Sequence, residues 1–325
     1  MARRPRPHPL AMAALVGLGV VLLQALLVPL FAAPAAHLEP RDLPVVVAGP
    51  SEAAAALPPF LKITAVPDAA AADAALRDRE AYGAFIFGPD GPALHTASAA
   101  SPTVATMLGQ AASQAAGRPV PVTDVVPTDP ADPRGAAFAA GFLPLALTGL
   151  VAGIAIALAV RSRAARLTGL IGYAVGAGLV GALILQSWLG VVPGGYLAVS
   201  GALALFALAT AATITGLAAL LGYPGIPLGA LVTFLVANPL SAISAAPELL
   251  PRPWGTVGQW LPIGAGGTLL RSTAYFNGAG GGLAAAVLGG YAAIGLLLVL
   301  AGRATLARRE PAPAGTPAES VPAAA

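Results

Sequence analysis

Apolar residues run uninterrupted by Lys, Arg, Asp or Glu through six stretches, 10–33, 137–160, 167–189, 197–221, 226–246 and 283–302. A helix needs about 20 apolar residues to cross the hydrocarbon core of a bilayer, so each stretch is long enough to do so. The pattern changes between the first and second stretches. There, short alternating runs are separated by Ala-rich segments and turn residues, as in a folded domain with strands and helices.

Within residues 34–135, Pro44–Ala48 reads as a short buried strand. An Ala-rich helix from Ser51 follows and ends at Pro58-Pro59, and Phe60–Val66 reads as a second strand. A helix is predicted over 68–80, with Leu76 on its buried side. Tyr82–Phe87 is the clearest strand, closed by the Pro89-Asp90-Gly91 turn and answered by a hairpin partner at 93–98. Ser101 before Pro102 has the form of a helix start, because Ser caps free N–H groups and Pro suits the first turn; Gly117 marks the stop. A last strand is predicted over 120–126. Strands alternating with helices argue for a small α/β domain with a mixed sheet. The expected fold is therefore an α-helical polytopic membrane protein of six transmembrane helices, with a small α/β extracytoplasmic domain between helices 1 and 2.

Composition agrees with this reading. Hydrophobic residues make up 57% of the chain and charged residues 10%, against roughly 25% charged in soluble domains, and the mean hydropathy is +0.80. There is no Cys, which excludes disulfides and thiolate metal sites. Charge acquires meaning once it is divided by side. Arg3, Arg4 and Arg6 precede the first stretch, Arg161, Arg163 and Arg166 fill the link between the second and third, and Arg303, Arg308 and Arg309 follow the sixth. Cytoplasmic loops collect Arg and Lys, so this face is expected to be cytoplasmic, with both termini inside. Residues 34–135 carry eleven acidic and six basic residues, the opposite bias.

The predicted plan is a cytoplasmic start (1–9), helix 1 (10–33), the external domain (34–135), a membrane domain (136–302) and a disordered cytoplasmic tail (303–325). The external segment 247–282 is punctuated by Pro yet carries Trp254, Trp260, Leu269 and Leu270, so it reads as partly helical and dipping into the outer leaflet. A cleaved signal peptide is the competing reading of the N-terminus. The apolar run is long for a signal core and Pro34 sits awkwardly for cleavage, which favours an uncleaved span.

Chemistry-bearing motifs are sparse. No GxxxxGK[ST] occurs, and the glycine runs near 264–267 and 278–282 have no following Lys, so no nucleotide site is expected in this chain. His8, His37 and His95 have no metal-ligand spacing. Ser51, Ser98 and Ser101 lack a His and acid pattern. The chain is thus not expected to be an enzyme, to hold a metal or cofactor, or to bind nucleic acid. The spans offer no ionisable group for ion coupling, only Gln186, Asn238, Ser241 and Ser244 with scattered Ser and Thr. Gln186, Asn238 and Ser241 are candidates for a substrate path, with interhelical hydrogen bonding as the plainer role. Gly149, Gly153, Gly172, Gly176 and Gly178 suggest close helix packing. Arg161, Arg163 and Arg166 either anchor the topology or meet a cytosolic partner.

The layout of one span, an external domain, then five spans with an external segment before the last resembles an ABC-2 type transporter permease. More narrowly it is similar to the YhgE/Pip-like (phage infection protein) branch. The run Leu43-Pro44-Val45-Val46-Val47 after the first span carries the likeness, as does Asp73 to Phe87, where a helix leads into an apolar strand. So do Asn238-Pro239-Leu240-Ser241, Pro247-Glu248-Leu249-Leu250-Pro251, Gln259 to Ala265 and Leu270 to Phe276. The resemblance implies a permease subunit of an exporter in the bacterial plasma membrane, working as a homodimer or paired permease with a separate cytosolic ATP-binding subunit. It implies that Arg161, Arg163 and Arg166 contact that subunit and that an amphipathic or lipid-like substrate is moved. The chain departs from the family in its short 161–166 link and in having no amphipathic helix before the first span. The rival expectation is a non-transporting membrane protein whose external domain binds a phage or cell-envelope component.

Overall fold

The computed structural model describes residues 9–50, 54, 57–89 and 91–302. The helix predicted from Ser51, Asp90 of the predicted turn, His8, the six terminal arginines and the tail lie outside these residues.

Among the described residues, five helices are long and apolar enough to cross a membrane: α1 (Pro9–Ala36), α4 (Ala136–Ala159), α5 (Arg163–Trp188), α6 (Tyr196–Leu221) and α10 (Gly282–Ala301). The chain is a helical membrane protein. Helix α6 is its axis and packs against α4, α5 and α10. Phe142 of α4 and Phe206 of α6 meet with ring centroids 4.7 Å apart inside a core that Leu185, Leu203, Ile263 and Leu288 complete.

The apolar stretch expected over 226–246 forms a shorter helix, α7 (Gly225–Leu240). At about 1.5 Å per residue it reaches roughly 24 Å, short of the ~30 Å hydrocarbon core. Its end has a local cause. Pro239 lies in its last turn, the Ser241 hydroxyl takes the Asn238 carbonyl at 2.7 Å, and Ala242 turns the chain away at φ 52°. Helices α8 (Trp254–Gln259) and α9 (Pro262–Tyr275) follow. Nearly every residue of the first turns of α9 is buried, against α6 and α10, so α9 is part of the bundle. Trp254 and Trp260 remain exposed.

Between α1 and α4 the chain folds as a five-stranded mixed sheet in the order β2-β1-β3-β4-β5. The strands are β1 (Leu43–Ala48), β2 (Leu61–Val66), β3 (Gly83–Gly88), β4 (Gly91–Thr96) and β5 (Val122–Asp124). β1 runs parallel to β2 and β3, β3 pairs antiparallel with β4, and β4 runs parallel to β5. Helix α2 (Ala69–Arg77) is capped by Asp68. Helix α3 (Pro102–Ala116) has its cap on Ser101 and ends at Gly117 in the left-handed region.

Alternation along β1 assigns the two faces of the sheet. Leu43, Val45 and Val47 pack with Val104 and Leu108 of α3, while Val46 and Ala48 pack with Ala72 and Leu76 of α2. Neither core closes with sheet-unit residues alone. The α3 side takes in Ala245, Ala246 and Leu249, and the α2 side takes in Phe276. The sheet is thus keyed into the segments flanking α8 and α9.

Candidate ligand cavity between sheet and helices

A cavity of about 490 Å³ lies where the sheet unit meets the segments around α8 and α9. Two arginines reach it from opposite sides. Arg79 follows α2 with φ 59°. Its N–H bonds the Leu76 carbonyl and the Glu80 N–H bonds that of Ala75, which closes the helix in a Schellman motif. The left-handed position of that motif favours Gly, and a residue with a Cβ there costs about 1–2 kcal/mol. The conformation aims the Arg79 side chain across the seam. Its Nη1 donates to the Thr268 carbonyl at 3.0 Å and to Ser272 Oγ at 2.9 Å, and its guanidinium lies 5.6 Å from the Phe276 ring centre. Ser272 passes the bond on to the Ala279 carbonyl.

Arg271, on α9, is 8% exposed. It donates to the Ile243 carbonyl at 3.0 Å and sits 4.8 Å over the Phe138 ring. Tyr82, just before β3, donates its hydroxyl to Glu248 Oε2 at 2.8 Å. Arg41 binds Glu39 Oε2 and the Leu249 carbonyl, each at 3.0 Å, and Arg252 pairs with Asp42.

The electrostatics follow from this enclosure. Burial lowers the Arg79 pKa from its ordinary value, while Tyr82 and the Glu248 carboxylate act the other way. Burial, and then the like charge of Arg79, brings Arg271 down to about 10. Arg271 therefore remains protonated at neutral pH. Burial first, then the Glu248 charge, pushes the Tyr82 phenol upward, so it stays a hydrogen-bond donor.

A second hollow of about 540 Å³ lies against α1. Leu26, Leu30 and Ala33 of α1 form one wall and Leu240, Pro251 and Trp254 another. Arg41 borders both spaces.

The residues singled out from sequence fall in several places. Ser241 lines the first cavity, whereas Gln186 and Asn238 line neither space. Gln186 lies in a π-helical stretch at the end of α5 and donates to the Pro193 and Gly194 carbonyls at 3.0 and 3.1 Å. Its Oε1 is buried without a partner. Arg166 is 3% exposed, and its Nε and Nη2 take the Val160 and Ala157 carbonyls that α4 leaves open at its end. Arg163 donates to the Gly302 carbonyl at 3.0 Å. These two guanidiniums tie helix ends together, and Arg161 is also engaged. His95 Nδ1 lies 2.6 Å from Asp73 Oδ1. Among the described residues, no group of three His, Asp or Glu side chains could hold a metal.

Arg79, Tyr82, Glu248 and Arg271 were not singled out as site residues by sequence reasoning. Two signals point to them: an Arg just past a helix end where Gly is usual, and a lone Arg within the otherwise uncharged 262–275 run. Compared with protein-family models, curated proteins and solved structures, the chain matches none.

Proposed function

We propose that this chain is the permease subunit of an ATP-driven, ABC-2 type exporter, paired with a second copy and a separate cytosolic ATPase in the bacterial plasma membrane. The observation that carries the reading is the ionisable content of the spans. Across the five membrane-length helices the only charged residues are Arg163 and Arg166, at the start of α5. Carriers coupled to protons or ions keep ionisable groups along their path, so the energy here comes from another chain. A nearly uncharged helix bundle also suits an amphipathic or lipid-like cargo. The charge asymmetry supports a cytoplasmic 161–166 link and an external sheet unit.

The full chain, tagged and purified in mild detergent from its native membrane, is expected to bring down an ATP-binding subunit and ATPase activity. Made alone, it is expected to hydrolyse no ATP. Hydrolysis by the chain alone, or no ATP-binding subunit in the preparation, would overturn the proposal. Protease added to intact cells should cut within 34–135 and spare 161–166. The docking role of the link is tested with Arg161→Lys and Arg163→Lys together. Arg166 is left in place because it caps α4. Unchanged ATPase capture in that variant would reduce the link to an anchor.

The alternative, a non-transporting protein that binds a phage or envelope component, draws on the interlocked cores around Leu249 and Phe276, which suit a fixed platform. Capture of no ATPase, with the external sheet unit confirmed by proteolysis, would favour it.

A further inference from the structure

We propose that the Arg79–Arg271 cavity and the apolar hollow beside α1 are the two halves of one binding site for an anionic amphiphile. Its phosphate or carboxylate head sits between the two guanidiniums and its acyl chain lies along α1. This names a substrate class for the exporter proposed above. It rests on that reading only for the word substrate, because binding is measured without ATP or an ATPase.

Charge carries the first half. Four guanidiniums and two carboxylates line the cavity, and both carboxylates are engaged, Asp42 by Arg252 and Glu248 by the Tyr82 hydroxyl. Arg79 and Arg271 have only carbonyls, one hydroxyl and two aromatic rings as partners. Among the described residues neither forms an ion pair. The Glu248 carboxylate offsets part of the burial of Arg79 from a distance, and no carboxylate acts on Arg271. A buried guanidinium without a directly bonded counter-charge is costly, and a phosphate or carboxylate matches its planar set of donors. The left-handed backbone at Arg79 adds an independent sign. A non-glycine residue is held there against its preference, as happens where the side chain must reach a particular place.

Adjacency carries the second half. The hollow against Leu26, Leu30 and Trp254 shares Arg41 with the charged cavity, which places an apolar space and a charged one on either side of one residue, the arrangement that a ligand with a charged head and an apolar chain requires. The two volumes, about 490 and 540 Å³, each lie within the range of about 300–1,000 Å³ usual for ligand sites. A soluble anion would fill only the first. A purely apolar molecule would leave both arginines without a directly bonded anion.

The probe is a lysophosphatidic acid with a brominated acyl chain, added to the full chain in phosphatidylcholine nanodiscs. Quenching of Trp254 fluorescence is read, with Trp254→Phe as control. Lysophosphatidic acid is expected to bind about tenfold or more tightly than lysophosphatidylcholine carrying the same chain. Charged hydrogen bonds contribute about that much each, so Arg79→Gln and Arg271→Gln should each weaken binding about tenfold. Ala33→Phe, which fills the hollow and leaves the arginines alone, should weaken the amphiphile but not inorganic phosphate. It also keeps the test decisive where an arginine variant does not fold. Equal affinity for the two lysolipids, or full binding by Arg79→Gln, overturns the site. Competition by inorganic phosphate at the lipid's own concentration, with Ala33→Phe without effect, overturns the amphiphile in favour of a soluble anion.

Discussion

Helices α1 and α6 are nearly alike in apolar character, with mean hydropathies of 2.5 and 2.0 over their best stretches, yet none of α1 and 61% of α6 is buried there. The difference lies in side-chain size. The inward residues of α6 include Ala209, Ala211, Ala212, Gly216 and Ala218, which let neighbouring backbones approach. Helix α1 presents Leu15, Val16, Leu22 and Leu23 outward. Hydropathy measures fitness for lipid, whereas small residues measure fitness for other helices. Helix α1 is held instead at its end, where Glu39 and Arg41 donate backbone N–H groups to the Leu249 and Glu248 carbonyls, each at 3.0 Å.

The sharpest contrast comes from adding bulk to each helix environment. A Cβ on Gly153 of α4 would lie 2.9 Å from both the Ala211 carbonyl oxygen and Ile214 Cβ of α6, while one on Gly17 of α1 meets nothing within 4 Å. Gly153→Leu should cost about 3 kcal/mol, the upper end for overpacking. Gly17→Leu should stay within about 0.5 kcal/mol. Thermal unfolding of the full chain in detergent measures both, and equal losses would erase the distinction.

Much of this contrast was hidden from the sequence, though several elements were not, and the span expected over 226–246 stops short at Leu240. The strands showed through short apolar or alternating runs bounded by turn residues, and α3 through Ser101, Pro102 and Gly117, because each signal is local chemistry within a few residues. Gly149 and Gly153 do face α6, but Gly172 and Gly176 have open space around them. Spacing alone cannot say which side of a helix meets a neighbour. Arg166 read as a topology anchor or a partner contact, and its guanidinium is a buried cap on α4, which the sequence hid because the carbonyls it answers belong to a different helix end. The cavity was the least legible part. Arg79 and Arg271 are 192 positions apart, and only the docking of the sheet onto α9 brings them to one space.

The tether of α1 gives the next test. Arg41→Ala removes the side-chain bond to the Leu249 carbonyl but leaves the backbone bonds, a loss of about 1–2 kcal/mol. Amide exchange over 37–43 should quicken about tenfold while that of α6 is unchanged. Equal quickening in α6 would mean that the two helices share one cooperative unit. Alkali tests the same tether through Tyr82, which bonds the Glu248 beside Leu249. The folded pKa of Tyr82 is raised, so its contribution is complete below the ordinary phenol value of about 10 and is lost as pH climbs beyond it. The seam should loosen above about pH 10 in the wild type. Tyr82→Phe should cost about 1 kcal/mol at neutral pH and lose that part of the alkaline response. An identical alkaline profile in the variant would remove Tyr82 from the tether.

The smallest effect separates packing from polar bonding as the source of α6's central place. Thr215 Oγ1 donates to the Gly153 carbonyl of α4 at 3.0 Å, a bond between helices. Thr213 Oγ1 donates at 2.7 Å to Ala209 in its own helix. Valine keeps nearly the same shape as threonine while removing the hydroxyl. Interhelical bonds of this kind average about 0.6 kcal/mol in a membrane, because an unfolded chain in lipid also finds partners. Thr215→Val should therefore lower stability by about that amount, and Thr213→Val by less, since the contact it loses holds no second helix. Measured beside Gly153→Leu, the pair would place most of the α4–α6 contact in close approach and a small part in the hydroxyl. A Thr213→Val loss as large as that of Thr215→Val would show that the bond across the two helices adds nothing beyond what α6 makes within itself.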